Sequence, residues 1–302
     1  MSKNKQLIVI QGPTASGKTA LSIALAKKLK CAILSADSRQ FYREISIGTA
    51  KPTLEERDGI PHFFIDSHSI LTPVSAAQFE KEALAILEQE FQHNDYCIVV
   101  GGSGLFIDAL CDGLDPLPSD LETQQKWQNL LEKEGLIALQ QELKKQDPDY
   151  AKTVDMQNPH RLLRALEIIS LTGKTMAEVR TNSKAKRPFA IHRYVVNLPR
   201  EELYERINLR VLEMMKTGLL EEVKSVMIHR DLKSLNTVGY QELFSHIAGE
   251  TTLENAIAMI QQNSRRYAKR QLTWFRRNEE NHWLNGKTTE ERLAEILLQF
   301  NA

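Results

Sequence analysis

Short apolar runs alternate with longer amphipathic stretches along much of the chain. The runs are rich in β-branched and aromatic residues and are bounded by turn residues, as strands buried in a parallel sheet are. They predict strands over residues 6–10, 31–34, 63–65, 96–100 and 193–198. The stretches between them have helical spacing, as at residues 19–30 and 75–92. This order predicts an α/β fold, a doubly wound parallel sheet with flanking helices.

Three polar clusters directly follow three of these predicted strands. They occupy residues 12–19, 35–40 and 101–104. The carboxyl ends of parallel strands lie at one edge of a sheet, and ligands of such folds bind there. We therefore expect the three clusters to form one site.

The pattern changes after the 96–100 strand. Pro116 and Pro118 introduce a mostly helical, mildly acidic stretch, with nine Asp or Glu against five Lys between Asp115 and Asp155. The polar segment 183–188 predicts the return to the sheet. We predict a helical subdomain, residues 115–187, inserted between a first part of the core, 1–114, and its completion, 188–302.

Composition excludes several classes of protein. The 302 residues are 42% apolar and carry 39 basic and 39 acidic side chains, so any attraction to nucleic acid must come from local charge. Cys31, Cys97 and Cys111 lack metal-ligand spacing, which favours a reduced cytoplasmic protein without structural zinc. No apolar run is long enough for a membrane span, and the N-terminus lacks a signal-type core. We expect a cytoplasmic monomer with no membrane partner.

The most specific motif is a phosphate-binding loop. It consists of Gly12, Pro13, Thr14, Ala15, Ser16, Gly17, Lys18 and Thr19, and matches G-x-x-x-x-G-K-[ST] between a predicted strand and a predicted helix. The glycines let backbone N–H groups approach phosphate oxygens, and the helix N-terminus favours negative charge. Lys18 supplies a point charge, and the Thr19 hydroxyl is placed to ligate Mg²⁺. The motif indicates a P-loop NTPase-like fold without specifying the phosphate compound.

A carboxylate follows the second predicted strand. Motor ATPases and GTPases place a metal-holding Asp after another strand, whereas the 96–100 strand runs into glycines and Ser103, which weakens the motor hypothesis. Asp37 instead lies beside the predicted phosphate site. It can accept a proton from a nucleophile or orient a metal through water. The alternative is an ordinary turn or N-cap aspartate.

The second distinctive feature is a basic segment near the C-terminus. Residues 261–277 contain six cations and no acid. On a helix all six lie in one arc, and Tyr267, Ala268, Leu272, Trp274 and Phe275 lie in the opposite arc. This pattern predicts a helix that buries an aromatic-rich face and presents a basic stripe to a polyanion. A solvated basic face is the alternative.

Two arginine pairs lie at helical spacing. Arg161 and Arg164 follow an Asn-Pro helix start at residues 158–159, and they can bind phosphate or pair with Glu167. Arg206 and Arg210 are one turn apart on a helix that begins near Glu201.

Together these motifs resemble the bacterial tRNA isopentenyltransferase family, tRNA dimethylallyltransferase, over nearly the whole chain. The matching segments occur in one order: GPTASGKT at 12–19, ADSRQ at 36–40, IGTAKP at 47–52, GGSGLFIDAL at 101–110, NPHRLLRALE at 158–167, VGY at 238–240 and AKRQLTW at 268–274. Gln241 departs from the usual Lys or Arg, which weakens a charged contact there. The resemblance implies transfer of a dimethylallyl group from dimethylallyl diphosphate to N6 of the adenosine 3′-adjacent to the anticodon, with release of diphosphate. It also implies that the inserted helical domain grips the anticodon stem-loop.

The resemblance assigns roles to the residues above. Asp37 is expected to accept the proton of the adenine amine, and Lys18, Thr19-bound Mg²⁺ and the loop amides to meet the leaving diphosphate. Arg206 or Arg210 is a further candidate for binding the diphosphate. The residues expected near tRNA are Asp37, Ser38, Arg39, Gln40, Ser103, His160, Arg161, Leu162, Leu163, Arg164, Asn236, Thr237, Val238, Gly239, Tyr240, Gln241, Arg266 and Arg270.

Two other functions compete with this one. A small-molecule P-loop kinase would transfer the γ-phosphoryl group of ATP but has no use for the basic helix. A non-catalytic RNA-binding protein would use the basic stripe and leave Asp37 and the phosphate-binding loop without a role. A closer alternative is a prenyltransferase that acts on free nucleotides.

Overall fold

The computed structural model describes residues 5–181 and 183–300. Its internal contacts define two compact units. The first is formed by the chain up to Asp112 together with the chain from Lys186 onward, and the second is formed by residues 113–185. Within the described ranges, no helix combines the length and the apolar content that crossing a membrane requires.

The first unit contains a parallel sheet in the order β3-β2-β4-β1-β5-β6. Its strands in the described residues are β1 Gln6–Gln11, β2 Ile33–Ser35, β3 His62–Phe63, β4 Tyr96–Gly101, β5 Ala190–Val196 and β6 His282–Leu284. All neighbouring strands pair in parallel. The predicted α/β class is confirmed.

Helices surround the sheet and make up the second unit. The helices are α1 Lys18–Leu29, α2 Leu54–Arg57, α3 Ala76–His93, α4 Gly104–Asp112, α5 Leu121–Gln146, α6 Pro148–Thr153, α7 Pro159–Thr172, α8 Met176–Val179, α9 Arg200–Lys216, α10 Leu219–Ser225, α11 Tyr240–Ile247, α12 Leu253–Phe275 and α13 Thr289–Leu298. Short 3₁₀ turns lie at Met227–His229 and Lys233–Leu235.

Two predicted strands differ from the structure for identifiable reasons, and a further strand was not predicted. The strand predicted over 63–65 ends at Phe63 because Phe64 has φ 62°, outside the β region. The strand predicted over 193–198 starts earlier, since Ala190 pairs with Gln6 of β1. Strand β6 is only three residues long, too short for its alternation to be recognised in the sequence.

Alternate side chains of β1 enter two separate cores. Leu7 and Val9 pack with α3, α4 and α11 side chains, whereas Ile8 and Ile10 pack with side chains of α1 and α13. A strand buried on both faces is typical of a sheet covered by helices on each side. The site therefore lies where strands end, at the edge that this covering leaves accessible.

The second unit has its own apolar core. Trp127, Leu139, Leu162 and Leu166 are buried there between α5 and α7. Helix α7 starts as predicted, because the Asn158 side chain accepts a hydrogen bond from the Arg161 amide and Pro159 occupies the first turn.

Candidate active site

The phosphate-binding loop joins β1 to α1. Gly17 has φ 90°, a conformation in which a side chain would be strained, and α1 begins at the next residue. The Lys18 ammonium donates to the Pro13 carbonyl at 3.3 Å, so the lysine side chain folds back over the loop. The loop therefore presents backbone N–H groups, a helix N-terminus and one cation together.

Lys18 is held in an unusual electrostatic environment. The pKa of Lys18 is lowered to about 8, mainly by burial and also by the Arg210 guanidinium, while Asp37 opposes the change. Burial also lowers the pKa of Arg210, against the effect of Asp37 and Glu56. Asp37 thus lies close to two partly desolvated cations, an arrangement suited to an anionic ligand.

The loops after β2, β4 and β1 meet as predicted. The Ser38 amide donates to the Ser103 hydroxyl at 3.0 Å, and the Ser103 amide donates to the Ala36 carbonyl at 3.2 Å. Strand order explains the contact, because β4 lies between β2 and β1. Ser103 also hydrogen-bonds Tyr267 of α12, so it holds the Asp37 loop rather than lining the cavity.

Gln271 connects the basic helix to two of these loops. Its side-chain oxygen accepts from the Thr14 amide at 3.0 Å, and its side-chain nitrogen donates to the Gly102 carbonyl at 2.9 Å. A Cβ on Gly102 would lie 2.1 Å from the Gln271 nitrogen, so the approach requires glycine there. We assigned no function to Gln271 from the sequence. The signal that could have identified it is its position as a polar residue among the apolar side chains on one face of α12.

A cavity of about 520 Å³ lies beside the phosphate-binding loop. Its lining is chemically mixed. The charged and polar part includes Thr14, Lys18, Asp37, Arg210 and Tyr267. The apolar part includes Ile207, Val211, Met214, Leu219, Val238 and Ile260. A ligand with an anionic group and a small apolar group matches this lining.

Asp37 is both a turn aspartate and a residue of the cavity lining. Its carboxylate accepts the Arg39 amide at 3.1 Å, as a turn aspartate does, and the residue also lines the cavity. The turn fixes the carboxylate beside Lys18 and Arg210. The local turn and a chemical role are therefore compatible.

The two arginines of α9 differ in their surroundings. Arg210 lines the cavity. Arg206 forms an ion pair with Glu202 at 2.7 Å and is partly exposed. Arg206 Nη1 nevertheless lies 4.0 Å from the position that a Cβ on Gly17 would occupy. Both arginines therefore lie close to the phosphate-binding loop, Arg210 in the cavity lining and Arg206 beside Gly17.

A half-buried carboxylate holds a loop that contributes to another wall of the cavity. Glu222 accepts hydrogen bonds from the amides of Ser46, Ile47 and Gly48 at 2.7–2.9 Å. The Tyr240 hydroxyl donates to the same carboxylate at 2.5 Å. Nothing in the spacing of the sequence pairs Glu222 with this loop, and we had not predicted it.

Several residues expected near tRNA also hold protein segments together. The Arg39 guanidinium donates to the carbonyls of Lys233, Ser234 and Asn236 at 2.9–3.3 Å. Gln40 donates to two carbonyls of the 46–50 loop, and Tyr240 is fully buried. These three side chains shape the site. The cavity lining takes in Ser38, Arg39, Asn236, Thr237, Val238, Gly239 and Gln241.

Helix α12 carries the predicted basic stripe with differences at its ends. Arg266, Lys269 and Arg270 are exposed, and Arg270 lines the cavity. Arg265 is partly buried because it donates to Asn208 at 2.5 Å. The helix ends at Phe275, so two predicted members of the stripe, Arg276 and Arg277, lie beyond it over Trp283 and Trp274 respectively.

The remaining predicted tRNA residues lie in the second unit. His160 and Arg161 are exposed, and Leu163 is partly buried. Leu162 is in the core of that unit, so its side chain is not available to RNA. Arg164 pairs with Glu167 at 2.6 Å and donates to the carbonyls of Leu117 and Pro118. The pairing with Glu167, one of the two predicted alternatives, is the one observed.

The donor set for a metal is small. Within residues 5–181 and 183–300, no three His, Cys, Asp or Glu side chains are grouped as metal ligands. Thr19 offers a hydroxyl oxygen in the first turn of α1, a ligand type that Mg²⁺ accepts when most other ligands are phosphate oxygens and water. The site therefore fits a Mg²⁺ ion that arrives with a phosphorylated ligand.

Comparisons with known proteins point to one family. The family model for IPP transferase matches residues 40–278. tRNA dimethylallyltransferase 1 of Bacteroides fragilis is 47% identical over 96% of this chain and 97% of its own length. A tRNA dimethylallyltransferase of Cytophaga hutchinsonii is 46% identical over 95% of both chains.

Solved structures give the same result. The tRNA isopentenylpyrophosphate transferase of Bacillus halodurans superimposes with a TM-score of 0.73 at 36% identity, covering 99% of this chain and 96% of that one. A eukaryotic dimethylallyltransferase acting on tRNA superimposes with a TM-score of 0.75 at 29% identity, covering 90% of this chain and 70% of that one.

Proposed function

The chain belongs to the IPP transferase family, and on that premise we propose that it transfers a dimethylallyl group from dimethylallyl diphosphate to N6 of the adenosine 3′-adjacent to the anticodon in tRNA. Diphosphate is the leaving group. The observation that carries the proposal is that Asp37, Lys18 and Arg210 line the same cavity, which also has an apolar wall. An allylic diphosphate has both the anionic and the apolar part that this lining matches.

Asp37 activates the acceptor in this account. The exocyclic amine of adenine is a weak nucleophile because its lone pair is delocalised into the ring. As the N6–carbon bond forms, the Asp37 carboxylate takes a proton from the amine. The Arg39 amide, bonded to Asp37 at 3.1 Å, fixes the carboxylate for this transfer.

The phosphate-binding loop stabilises the leaving group. Negative charge grows on the diphosphate as the allylic carbon–oxygen bond breaks, and Lys18, Arg210 and the loop amides are placed to receive it. Thr19 would hold the Mg²⁺ ion, which when bound neutralises diphosphate oxygens. These interactions strengthen towards the transition state, because the leaving group there carries more charge than it does in the bound substrate.

The apolar wall receives the dimethylallyl group. Val211, Met214 and Leu219 offer aliphatic surface in the same cavity as Lys18. An apolar wall excludes water from an allylic carbon that becomes electron-deficient, which protects it from hydrolysis. It also favours a short isoprenoid over a polar phosphate ester.

Helix α12 supplies a basic surface for tRNA at the cavity. Arg266, Lys269 and Arg270 are exposed on it, and phosphate contacts of this kind give affinity rather than sequence recognition. The target base must leave its stack to reach Asp37, which a single-stranded RNA loop permits readily. In the second unit, His160 and Arg161 are exposed and are further candidates for contact with the anticodon stem.

The test is a direct product analysis. Purified protein is incubated with Mg²⁺, dimethylallyl diphosphate and unmodified tRNA, and the RNA is digested for nucleoside mass spectrometry. We expect N6-dimethylallyladenosine next to the anticodon. Transfer of the γ-phosphoryl group of ATP to a metabolite, with no modified nucleoside, would contradict the proposal and favour a kinase. Modification of free AMP but not tRNA would identify a free-nucleotide enzyme.

A further inference from the structure

An arginine from the last helix reaches the phosphate-binding loop. Arg292 lies in α13, outside the 40–278 range that the family model matches. Its Nη1 atom is 3.8 Å from the position that a Cβ on Gly17 would occupy. Gly17 directly precedes α1, so the guanidinium is beside the N-terminus of that helix.

Arg292 is buried and only partly satisfied. Its exposed fraction is 4%. Its Nε donates to the Gly286 carbonyl at 2.7 Å and its Nη2 donates to the Asn197 carbonyl at 3.4 Å. Within the part of the chain that the structure describes, the hydrogen bonds of Arg292 use these two nitrogens and leave Nη1, the nitrogen nearest Gly17, without one. Two anchored nitrogens thus hold the third against the loop.

A second guanidinium and a helix N-terminus lie beside this one. Arg206 Nη1 lies 4.0 Å from the same Cβ position on Gly17, and the N-terminus of α1 adds its positive end. Burial, and then Arg206, lower the pKa of Arg292, although Glu202, Glu291 and Glu295 oppose the change. The Glu202 carboxylate, paired with Arg206 at 2.7 Å, offsets part of the repulsion between the two guanidinium groups, and an anion bound between them at the helix N-terminus would offset more of it.

We propose that Arg292 is a diphosphate-binding residue, which donates from Nη1 to a non-bridging oxygen of the substrate and of the released diphosphate. The inference rests on the proposed function, since the loop must hold a diphosphate for Arg292 to reach one. An arginine whose only role was to hold α13 in place would need the two carbonyl contacts but would not need to lie beside the phosphate-binding loop. The planar guanidinium allows both, because Nε and Nη2 can hold carbonyls while Nη1 faces the anion.

The test measures binding of inorganic pyrophosphate in Mg²⁺ buffer by calorimetry. The variants are Arg292→Gln, Arg292→Lys and, as a matched control, Arg57→Gln, which removes an arginine whose Nε also holds a carbonyl. The glutamine variant is expected to bind pyrophosphate about tenfold more weakly, the usual effect of losing one charged hydrogen bond. Thermal unfolding and tRNA affinity, measured in parallel, separate this effect from loss of structure.

Three outcomes decide the question. Weaker pyrophosphate binding by Arg292→Gln, with tRNA affinity and the control unchanged, supports the assignment. Wild-type affinity in a folded Arg292→Gln contradicts the assignment alone, whereas a wild-type protein that does not bind pyrophosphate contradicts the proposed diphosphate site itself. If the glutamine variant does not fold, Arg292→Lys carries the test. Its single ammonium can hold the Gly286 carbonyl or reach the anion but not both, so unchanged affinity together with unchanged thermal stability contradicts the assignment.

Discussion

The side chain of Gln271 accepts the Thr14 amide at 3.0 Å and thereby fixes the phosphate-binding loop to the basic helix. The same side chain donates to the Gly102 carbonyl at 2.9 Å. One buried amide therefore couples the loop after β1, the loop after β4 and α12. We therefore expect binding of diphosphate in the cavity and binding of RNA on α12 to be linked through this shared support.

Gln271→Glu tests this coupling. The carboxylate keeps an acceptor for Thr14 but faces the Gly102 carbonyl with an oxygen and adds negative charge near the diphosphate. We expect a loss of about 2 kcal/mol in the free energy of unfolding and a raised KM for dimethylallyl diphosphate. Gln261→Glu is the control, because Gln261 lies on the same helix and also donates to a carbonyl, that of Asn208. Equal effects of both variants on KM would show that Gln271 does not support the loop.

The pKa of Lys18 predicts a pH dependence. Burial lowers that pKa to about 8, so the ammonium is charged below this pH and loses its charge as the pH rises through it. At saturating tRNA, kcat/KM for dimethylallyl diphosphate should fall as the pH rises through that value, since this ratio reports the free enzyme. Lys18→Arg should abolish this limb, because a guanidinium stays charged. If kcat/KM falls at the same pH in the wild-type protein and in Lys18→Arg, the pH dependence belongs to another group.

The exposed cations of α12 predict a salt effect. Arg270 is exposed and lines the cavity, so Arg270→Gln should weaken tRNA binding. The slope of log affinity against log salt should become shallower by about 1, the change expected when one phosphate contact is lost. Lys28→Gln is the matched control, since Lys28 is exposed in the last turn of α1, at the end away from the phosphate-binding loop. An unchanged salt slope in Arg270→Gln would show that the stripe is a solvated face.

The Glu222 carboxylate predicts a large difference between adjacent residues. Glu222→Ala leaves the amides of Ser46, Ile47 and Gly48 without their acceptor, which should cost about 2–3 kcal/mol in the free energy of unfolding and raise the KM for tRNA. Glu221→Ala removes only an exposed pair with Lys224 and should cost less than about 0.5 kcal/mol. Urea unfolding of both variants measures this, and equal losses would contradict the account.

Local pattern was sufficient for the elements that carry the loops. Strands β1, β2 and β4 are apolar runs followed by turn residues, and the parallel arrangement then brings their polar ends together. Some local features could not be predicted from this pattern. Asp66 and Phe64 adopt positive φ that no apolar pattern reveals, and β6 is recognised only through its pairing with β5.

Side-chain partners distant in sequence could not be predicted. Glu222 meets an amide cluster 174 to 176 residues away, and Gln271 meets Thr14 across 257 residues. The family resemblance placed Arg39 near tRNA, and it gave no sign that the guanidinium also donates to three carbonyls of the folded chain. Which cations are free for a ligand depends on such contacts, and only the tertiary structure decides them.

The most direct test of the central claim is the single-turnover rate of dimethylallyl transfer by Asp37→Asn on prebound tRNA. The amide keeps an oxygen for the Arg39 amide but cannot take the proton of the adenine amine. We predict a rate about 10²–10⁴-fold below wild type, the usual contribution of a general base, with tRNA affinity unchanged. A transfer rate close to wild type would contradict the role of Asp37.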